Sequence, residues 1–213
     1  MEDYQREFLA FAVRNEVLRF GEFQLKSGRS SPYFFNTGMF DSGAALARLG
    51  ELYARAIVAN GIDFDLIFGP AYKGIPLGTA ISISFCSLYD RDIPFCFNRK
   101  ERKDHGEGGT TLGAPIRGHV LIVDDVISAG TSVNESVALI DRAGASAAAV
   151  MIALDRQERG QDKLSAVDEV KKRHGIPVYS IVTLVNIVEF LTESGDHRTE
   201  IEAIERYRSQ YGV

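Results

Sequence analysis

The stretch His119–Ser136 most constrains the fold, because it joins an apolar run, an acidic pair and a turn of small residues. Val120–Val123 is a continuous apolar run rich in β-branched residues, which is typical of a strand buried on both faces of a parallel sheet. Apolar residues with helical spacing follow the turn, and Ser132 and Glu135 have the spacing of a capping box. Gly144 stands where a glycine would end that helix. The stretch therefore predicts a buried strand, a short turn and a helix.

The turn between that strand and that helix predicts an anion-binding site. N–H groups without partners and the positive end of the helix dipole favour negative charge at a helix N-terminus. The acidic pair, Asp124 and Asp125, would repel an anion unless it holds another part of the ligand; ribose hydroxyls or a Mg²⁺ ion on the phosphates are natural partners. We therefore interpret the stretch as a holder for a phosphorylated sugar. The other candidate ligand-binding residues of the stretch are Val126, Ile127, Ser128, Ala129, Gly130, Thr131 and Ser132.

Two other interpretations use the same stretch. A buried strand can end in two solvated aspartates before an ordinary capped helix, and the acidic pair alone leaves this alternative open. A Walker-B strand of an ATPase would need a G-x-x-x-x-G-K-[ST] loop elsewhere in the chain. The sequence contains no such loop, so the ATPase interpretation is excluded.

Length, charge and cysteine content narrow the class of protein. A chain of 213 residues fits one domain, in which we expect residues 1–40 to contribute a small hood. The net charge of −5 argues against a nucleic-acid protein with a broad basic surface, and no apolar run approaches the ~18–20 residues of a membrane span. Cys86 and Cys96 lie in apolar runs, which predicts buried, reduced thiols. With no apolar secretory segment at the start of the sequence, these features predict a cytoplasmic protein.

Strands and helices alternate after residue 60, which indicates an α/β fold with a parallel sheet flanked by helices. Between the predicted strands, residues 99–118 form a long polar stretch that we expect to be a loop. The predicted strands are 17–25, 30–35, 65–68, 94–98, 120–123, 147–154 and 178–184. The predicted helices are 2–15, 42–60, 74–88, a helix starting near 132, 161–174, a short helix reaching 192, and 197–211.

A second candidate anion loop is Gly69–Gly74, GPAYKG, which follows one predicted strand and precedes a helix. Its glycines suit tight geometry, and Tyr72 and Lys73 lie within it, so backbone N–H groups and an ammonium group are available to a phosphate. An ordinary strand-to-helix turn would have the same outline. Two such loops at the carboxyl ends of parallel strands point to one ligand, because open α/β sheets bind ligands at that edge.

The long stretch 98–113, NRKERKDHGEGGTTLG, concentrates positive charge in an otherwise acidic chain. Arg99, Lys100 and Lys103 precede His105, and four glycines follow. Long loops inside compact domains are usually functional or disordered; the basic half can meet an anion and the glycines can act as a hinge. A solvated excursion without a role is the alternative.

Three further side chains in the hood and one beyond the sheet are candidates for binding. Lys26, Phe34 and Phe35 lie in the hood; neighbouring residues of a strand point to opposite faces, so at most one of the two rings stacks on a flat ligand, and both could instead be core residues. Arg156 follows the predicted strand 147–154 at the edge that carries the two anion loops. A guanidinium there suits a substrate carboxylate, although a surface ion pair is equally compatible with the sequence.

These motifs together resemble the bacterial orotate phosphoribosyltransferases, over essentially the whole chain. The segments that carry the resemblance are KSGRSSPYFFNTG at 26–38, FGPAYKGIPLG at 68–78, NRKERKDHGEGG at 98–109 and LIVDDVISAGTS at 121–132. The last is similar to the phosphoribosyl diphosphate motif of many phosphoribosyltransferases. One departure is Ser128, where the family usually has threonine; the hydroxyl group is kept.

The resemblance implies a role for each matching residue. Lys26, Phe34, Phe35, Ser128 and Arg156 would contact orotate. Asp124 and Asp125 would serve the ribose hydroxyls, and the turn 128–132 would hold the 5′-phosphate. The residues implied to hold the diphosphate side are Tyr72, Lys73, Arg99, Lys100, Lys103 and His105, and Lys103, His105, Asp124 and Asp125 are the candidate catalytic residues.

The resemblance also implies a reaction, a cofactor and an assembly. Orotate and phosphoribosyl diphosphate would give orotidine 5′-monophosphate and diphosphate with Mg²⁺, held mainly by the substrate and close to the acidic pair, in pyrimidine nucleotide synthesis. The family forms two-fold dimers whose charged loop reaches the neighbouring site, so we expect a homodimer with shared sites. Two alternatives stay open: a purine phosphoribosyltransferase, and a regulator of the same fold that binds phosphoribosyl diphosphate without catalysis.

Overall fold

A six-stranded sheet organises the molecule. The computed structural model describes residues 1–25, 28–103, 109–159 and 164–213, with the backbone alone at positions 102 and 103. The strands are β1 Leu18–Gln24, β2 Ser30–Phe35, β3 Leu66–Phe68, β4 Phe95–Lys103, β5 Gly109–Gly113, β6 His119–Val123, β7 Ser146–Asp155 and β8 Val178–Thr183. The helices are α1 Asp3–Arg14, α2 Gly43–Ala59, α3 Gly74–Tyr89, α4 Thr131–Arg142, α5 Ala166–His174, α6 Leu184–Ser194 and α7 Arg198–Tyr211, with a 3₁₀ turn at Thr37–Met39.

The sheet has the strand order β5-β4-β3-β6-β7-β8. Its strands pair in parallel except β5, which runs antiparallel to β4 at one edge. Phe68 of β3 pairs with Ile122 of β6, and Val123 pairs with Met151 of β7. The carboxyl ends of β3, β6 and β7 therefore lie along one edge, as the alternation of strands and helices predicted.

Strand β6 separates the two parts of the hydrophobic core. Leu121 and Val123 belong to the cluster that faces α1, α2, α3, α6 and α7. Val120 and Ile122 belong to the cluster beneath α4 and α5. Since successive side chains of a strand point to opposite faces, a strand that is covered on both faces must be continuously apolar. This confirms the prediction of a buried parallel strand.

The N-terminal helix and hairpin pack onto the same core. Strands β1 and β2 form a separate antiparallel two-stranded sheet. Phe8 of α1, Leu18 of β1 and Tyr33 of β2 are almost completely buried within the larger cluster. Thr37, two residues beyond β2, donates to Asp125 just after β6, so the end of the hairpin lies beside the carboxyl edge of the central sheet.

On both sides of residues 104–108, which lie outside the described residues, the long polar stretch forms two paired strands, so the prediction of a loop was wrong there. Strand β4 continues to Lys103 and pairs with β5, with Asn98 opposite Thr111 and Lys103 opposite Gly109. Residues Gly109 and Thr110 are exposed. Beyond Cys96, the described side chains of the two strands are exposed or only partly buried, so this part of the sequence lacks the apolar alternation by which strands are recognised.

Two helix starts also differ from their predictions. Helix α4 begins at Thr131 with Gly130 as its N-cap in the left-handed region, at φ 69°, and without a side-chain cap. The predicted capping box at Ser132 was wrong, because the helix begins one residue earlier and Gly130, which has no side chain, is its N-cap. Helix α5 begins at Ala166, where the Ser165 side chain accepts from the Asp168 N–H; part of the predicted start, 161–163, lies outside the described residues.

The two cysteines differ in burial. Cys96 is buried, as predicted, and Cys86 is exposed, so its predicted burial was wrong. The face of α3 that carries Leu77, Ile81 and Phe85 is the one packed into the core, which leaves position 86 outside it. In the part of the chain that the structure describes, no helix combines the length and the apolarity that crossing a membrane would require.

Candidate active site

The acidic pair lies where β6 ends, and its two members differ in environment. Asp125 is 8% exposed, and its Oδ2 accepts from Lys73 Nζ at 2.6 Å and from Thr37 Oγ1 at 2.8 Å. The alternative of two solvated aspartates therefore does not describe this site. One carboxylate joins three segments: the turn after the hairpin, the loop 69–74 and the end of β6.

The carboxyl group of Asp124 is largely buried, and its pKa is raised above the ordinary range. Burial, followed by the neighbouring charge of Asp125, raises the pKa of Asp124 to about 6. Hydrogen bonds from the Asp125 N–H and the Ser132 side chain act in the opposite direction. The Asp124 carbonyl oxygen accepts from the buried Tyr53 hydroxyl at 2.8 Å. A ligand that offers hydroxyl donors or a cation would relieve the cost of the buried charge.

The loop 69–74 is as tight as its glycines indicate. A Cβ at Gly69 would collide with the Gly74 carbonyl oxygen, and one at Gly74 would collide with Pro70. The Ala71 N–H donates to Asn98 Oδ1 at 2.7 Å, which ties the loop to β4. The loop therefore holds Lys73 against the acidic pair by backbone constraint.

Tyr72 is the exposed residue of this loop. Its side chain is 72% exposed, and Lys100 Nζ lies 5.9 Å from its ring centroid. The structure thus brings two of the predicted diphosphate-side residues, Tyr72 and Lys100, next to each other. Arg99 lies between Asn98 and Lys100 on β4, and its Nε is buried without a hydrogen-bond partner among the described residues.

The turn after the acidic pair encloses a pocket of about 270 Å³, called here the turn pocket. Gly130 has φ 69°, and a Cβ there would lie 3.1 Å from Val170 Cγ2 of α5, so a side chain would be strained and crowded. The helix N-terminus of α4 and the hydroxyls of the turn face this pocket, which suits a phosphate. The turn pocket is lined by Lys100, Asp124, Val126, Ile127, Ser128, Ala129, Gly130, Thr131, Ser132, Val133 and Glu135.

A larger pocket of about 570 Å³, called here the large pocket, lies on the other side of the same turn. Its walls come from the hairpin β1–β2, the turn itself, the segment after β7 and helix α5. Residues 126–129 line both pockets. A ligand with a phosphate in the turn pocket can therefore extend across the turn into the large pocket.

The rings of Phe34 and Phe35 both line the large pocket. Phe34 stacks on Phe23 with ring centroids 5.5 Å apart, and Arg19 lies 5.6 Å from its ring. Phe35 is 6.3 Å from Phe8 and packs on the core. Each ring is half-buried and also reaches the pocket. Phe34 and Phe35 therefore both pack against other side chains and line the pocket.

Arg156 lines the large pocket and is fixed within the protein. Its guanidinium lies 4.3 Å from the ring centroid of Tyr33. It donates to Glu158 from Nε at 2.8 Å and pairs through Nη2 at 2.7 Å. The predicted alternative, an ion pair, is thus present, but it is largely buried and forms part of the pocket wall rather than a surface contact.

Three predicted site residues lie wholly or partly outside the described residues. Lys26 and His105 lie outside the described residues, and of Lys103 the structure describes the backbone at the end of β4. Sequence reasoning in turn missed Thr37, Tyr53 and Glu158. Thr37 lies within one of the segments that carried the resemblance, which was a usable signal. Tyr53 was missed because its partner Asp124 is 71 residues away in the chain. Glu158 was missed because a glutamate two residues from an arginine is a common pattern with no particular meaning.

The fold and the two pockets first define a class. The family model of the phosphoribosyl transferase domain matches residues 37–187, which contain the loop 69–74, the turn and strands β3 to β8. A crystal structure of orotate phosphoribosyltransferase from Francisella tularensis has a TM-score of 0.89 and 42% identity, covering 97% of this chain and 100% of that chain. The protein is thus of the phosphoribosyltransferase type in fold.

Curated relatives then show to which family of phosphoribosyltransferases the chain belongs. Proteins named orotate phosphoribosyltransferase from Pseudomonas aeruginosa and Thiobacillus denitrificans are 58% and 60% identical over 213 residues, with 100% of both chains covered. The chain belongs to the orotate phosphoribosyltransferase family. The resemblance inferred from the segments at 26–38, 68–78, 98–109 and 121–132 is confirmed.

Proposed function

We propose that this chain transfers the 5-phosphoribosyl group from phosphoribosyl diphosphate to orotate, giving orotidine 5′-monophosphate and diphosphate in de novo pyrimidine synthesis. The family membership supports this reaction. The observation that carries it is the pair of pockets joined by the turn 126–129, with an anion site on one side and a fixed guanidinium on the other. Orotate combines a flat ring with a carboxylate, and the large pocket offers aromatic walls and Arg156.

The turn pocket suits the 5′-phosphate of the sugar. Backbone N–H groups at the start of α4 and the hydroxyls of Ser128, Thr131 and Ser132 supply donors. The ribose then lies over Asp124 and Asp125, whose carboxylates accept from its hydroxyls. This arrangement assigns the acidic pair to the neutral, hydroxyl-bearing part of the ligand, so the anion and the aspartates need not repel each other.

Mg²⁺ fits this site as a companion of the substrate. Among the described residues, no group of three or more His, Cys, Asp and Glu side chains could hold a metal ion. As the family resemblance implies, diphosphate and ribose oxygens would supply most of its ligands, with Asp124 and Asp125 nearby, and oxygen ligands are those Mg²⁺ prefers. Bound there, Mg²⁺ would neutralise charge on the diphosphate.

The protein itself contributes to the reaction by holding the two substrates in position and by placing cationic side chains beside the leaving diphosphate. The ring nitrogen of orotate replaces diphosphate at the anomeric carbon, through a transition state with oxocarbenium character, and the leaving diphosphate gains negative charge. Lys73 and Lys100 lie at the edge of the site, and the resemblance adds Lys103 and His105 to them. Cations placed where charge grows stabilise the transition state more than the ground state.

A purine base is the alternative substrate, and Arg156 argues against it. Hypoxanthine and adenine carry no carboxylate, so a buried guanidinium in the wall of the base pocket would gain no charged partner from them. Orotate supplies that partner, and hydrogen bonds between ionised groups are the strong ones. The non-catalytic regulator is disfavoured because relatives named orotate phosphoribosyltransferase match this chain at 58% and 60% identity over its full length.

We further propose that the chain acts as a homodimer in which β4–β5 hairpins reach the neighbouring sites. Strands β4 and β5 stay paired past the end of β3, with Asn98 opposite Thr111 and Lys103 opposite Gly109, and the stretch 98–113 carries more positive charge than its own sheet edge needs. A two-fold dimer presents two such hairpins symmetrically.

The reaction itself is tested by following the absorbance of orotate in the presence of phosphoribosyl diphosphate and Mg²⁺. The proposal predicts loss of orotate that requires both of them and stops when a chelator is added. Uracil, which lacks only the carboxylate, is the matched control and should be turned over far more slowly. Stable orotate absorbance with folded, Mg²⁺-supplied protein would contradict the proposal.

A further inference from the structure

Glu158 forms a buried ion pair with the guanidinium that is proposed to bind orotate. Arg156 Nε donates to Glu158 Oε1 at 2.8 Å, and Arg156 Nη2 is 2.7 Å from the same oxygen. Nη2 also donates to Ser31 Oγ at 3.2 Å. With the Tyr33 ring 4.3 Å away, the guanidinium is restrained by the ring and along its Nε–Nη2 edge.

The third nitrogen of the guanidinium, Nη1, is not engaged by these contacts. Among the residues that the structure describes, Nη1 of Arg156 has no hydrogen-bond partner, and Arg156 lines the large pocket. Arginine has several rotatable bonds, and ordering such a side chain on ligand binding costs free energy. A guanidinium already fixed on its other edge avoids most of that cost.

Glu158 is itself held firmly, which is required of a residue that positions another. Its side chain is 14% exposed; it accepts from the Tyr33 hydroxyl at 3.3 Å and lies 3.8 Å from Arg29. Its backbone forms a bridge with Gly212. The flanking Arg159 N–H donates to Tyr211 O at 2.8 Å, so the segment is anchored to the end of α7.

We propose that Glu158 is a positioning residue, which orients Arg156 so that its free Nη1 side meets the carboxylate of orotate. This inference rests on the proposed function. Glu158 has a second, opposing effect, because its own negative charge disfavours a carboxylate nearby. Arg29 offsets that charge, and the three side chains together leave one net positive charge for the ligand.

Two substitutions separate position from charge. Glu158→Asp keeps the charge but is shorter by one methylene, so its oxygens no longer reach Arg156. Glu158→Gln keeps the length and an acceptor oxygen but loses the charge. If orientation dominates, Glu158→Asp raises the Michaelis constant for orotate roughly tenfold, as for loss of a charged hydrogen bond. Glu158→Gln raises it by about threefold at most, and neither variant changes the constant for phosphoribosyl diphosphate.

A double-mutant cycle supplies a readout that a structural role alone would not move. Because Glu158 acts through Arg156, Glu158→Asp should add nothing to the orotate defect of Arg156→Ala, whereas independent effects would multiply. Glu193→Ala is the matched control: Glu193 pairs with Arg6 at 2.9 Å, lines neither pocket, and should leave both Michaelis constants unchanged. Thermal melting of each variant checks that the protein is folded.

The outcomes distinguish the inference from the function on which it rests. If the wild-type protein does not consume orotate, the proposed function fails. If it does, the positioning role is overturned by any of three results: Glu158→Asp matching wild type, Glu158→Gln more harmful than Glu158→Asp, or equal effects on the two substrates. A lower Michaelis constant for orotate in Glu158→Gln together with an unchanged one in Glu158→Asp would show that charge repulsion, not orientation, is what Glu158 contributes.

Discussion

At the scale of one residue, the buried carboxylate of Asp124 lowers the stability of the folded protein while it serves the ligand site. Its pKa is raised above the usual range to about 6 by burial and by the charge of Asp125. The folded protein therefore takes up a proton that the unfolded chain does not hold between about pH 4 and pH 6. The contribution of Asp124 to the free energy of unfolding is therefore greatest at low pH and is lost as the pH rises through about 6. At neutral pH the buried carboxylate destabilises the folded protein, and a bound ligand can offset that destabilisation.

Asp124→Asn tests this penalty. The variant removes the buried charge and should be more stable than wild type at pH 7.5 by ~1–3 kcal/mol, because the pKa of Asp124 is raised from its ordinary value to about 6. At pH 4 the difference should nearly vanish, because the wild-type carboxyl is then protonated in the folded state. Urea unfolding of both proteins at the two pH values is the measurement. A stability difference that is the same at both pH values would contradict this assignment of the shift.

Arg156→Ala tests the carboxylate partner in the large pocket. We expect the Michaelis constant for orotate to rise by a factor that corresponds to ~1.5–3 kcal/mol, the contribution of a hydrogen bond to a charged group. The constant for phosphoribosyl diphosphate should change little, because the phosphate and ribose contacts lie across the turn. The measurement is steady-state kinetics with each substrate varied in turn. Equal increases in the two Michaelis constants would show that Arg156 is not the partner of the orotate carboxylate.

At the scale of elements, the strand–turn–helix of β6 and α4 and the glycine loop before α3 were predictable from local pattern. Continuous apolar runs, small-residue turns and glycines at close approaches are encoded in neighbouring residues. The β4–β5 pairing was not predictable in this way, since its described side chains beyond Cys96 are exposed or partly buried and show no alternation of apolar and polar residues. The contact of Ser31 with Arg156 was not predictable either, because it depends on how distant segments pack; for Thr37, the segment 26–38 marked the residue but not its partner Asp125.

Thr37→Val tests the contact that joins the N-terminal hairpin to the sheet. Thr37 Oγ1 donates to Asp125 Oδ2 at 2.8 Å, and valine keeps the shape but removes the donor. Loss of one hydrogen bond should weaken use of phosphoribosyl diphosphate by ~2- to 10-fold, at ~0.5–1.5 kcal/mol, with little change for orotate. Thr192→Val, whose hydroxyl donates within α6 at 2.8 Å, is the control. No difference between the two variants would mean that Asp125 is held well enough by Lys73 alone.

At the scale of the whole molecule, the proposed shared site predicts that two inactive variants restore each other. Lys103→Ala removes the cation at the end of β4, and Asp125→Asn alters the acidic pair. If β4–β5 hairpins act on the neighbouring subunit, a mixed dimer has one site with both residues intact and one with neither.

Complementation is measured by mixing the two variants under conditions where subunits exchange. Random mixing makes about half of the dimers mixed, so activity should recover to roughly a quarter of wild type. Each variant mixed with itself is the control. Absence of recovery, with subunit exchange shown independently, would place Lys103 in its own subunit's site.

The measurement that tests the central claim most directly is a competition among bases for one supply of phosphoribosyl diphosphate. Wild-type protein receives equal amounts of orotate, uracil, hypoxanthine and adenine with Mg²⁺, and the nucleotides formed are separated by mass. The large pocket with its fixed guanidinium predicts orotidine 5′-monophosphate as the dominant product, and Arg156→Ala should reduce that preference. A purine nucleotide as the main product of the wild-type protein would contradict the account.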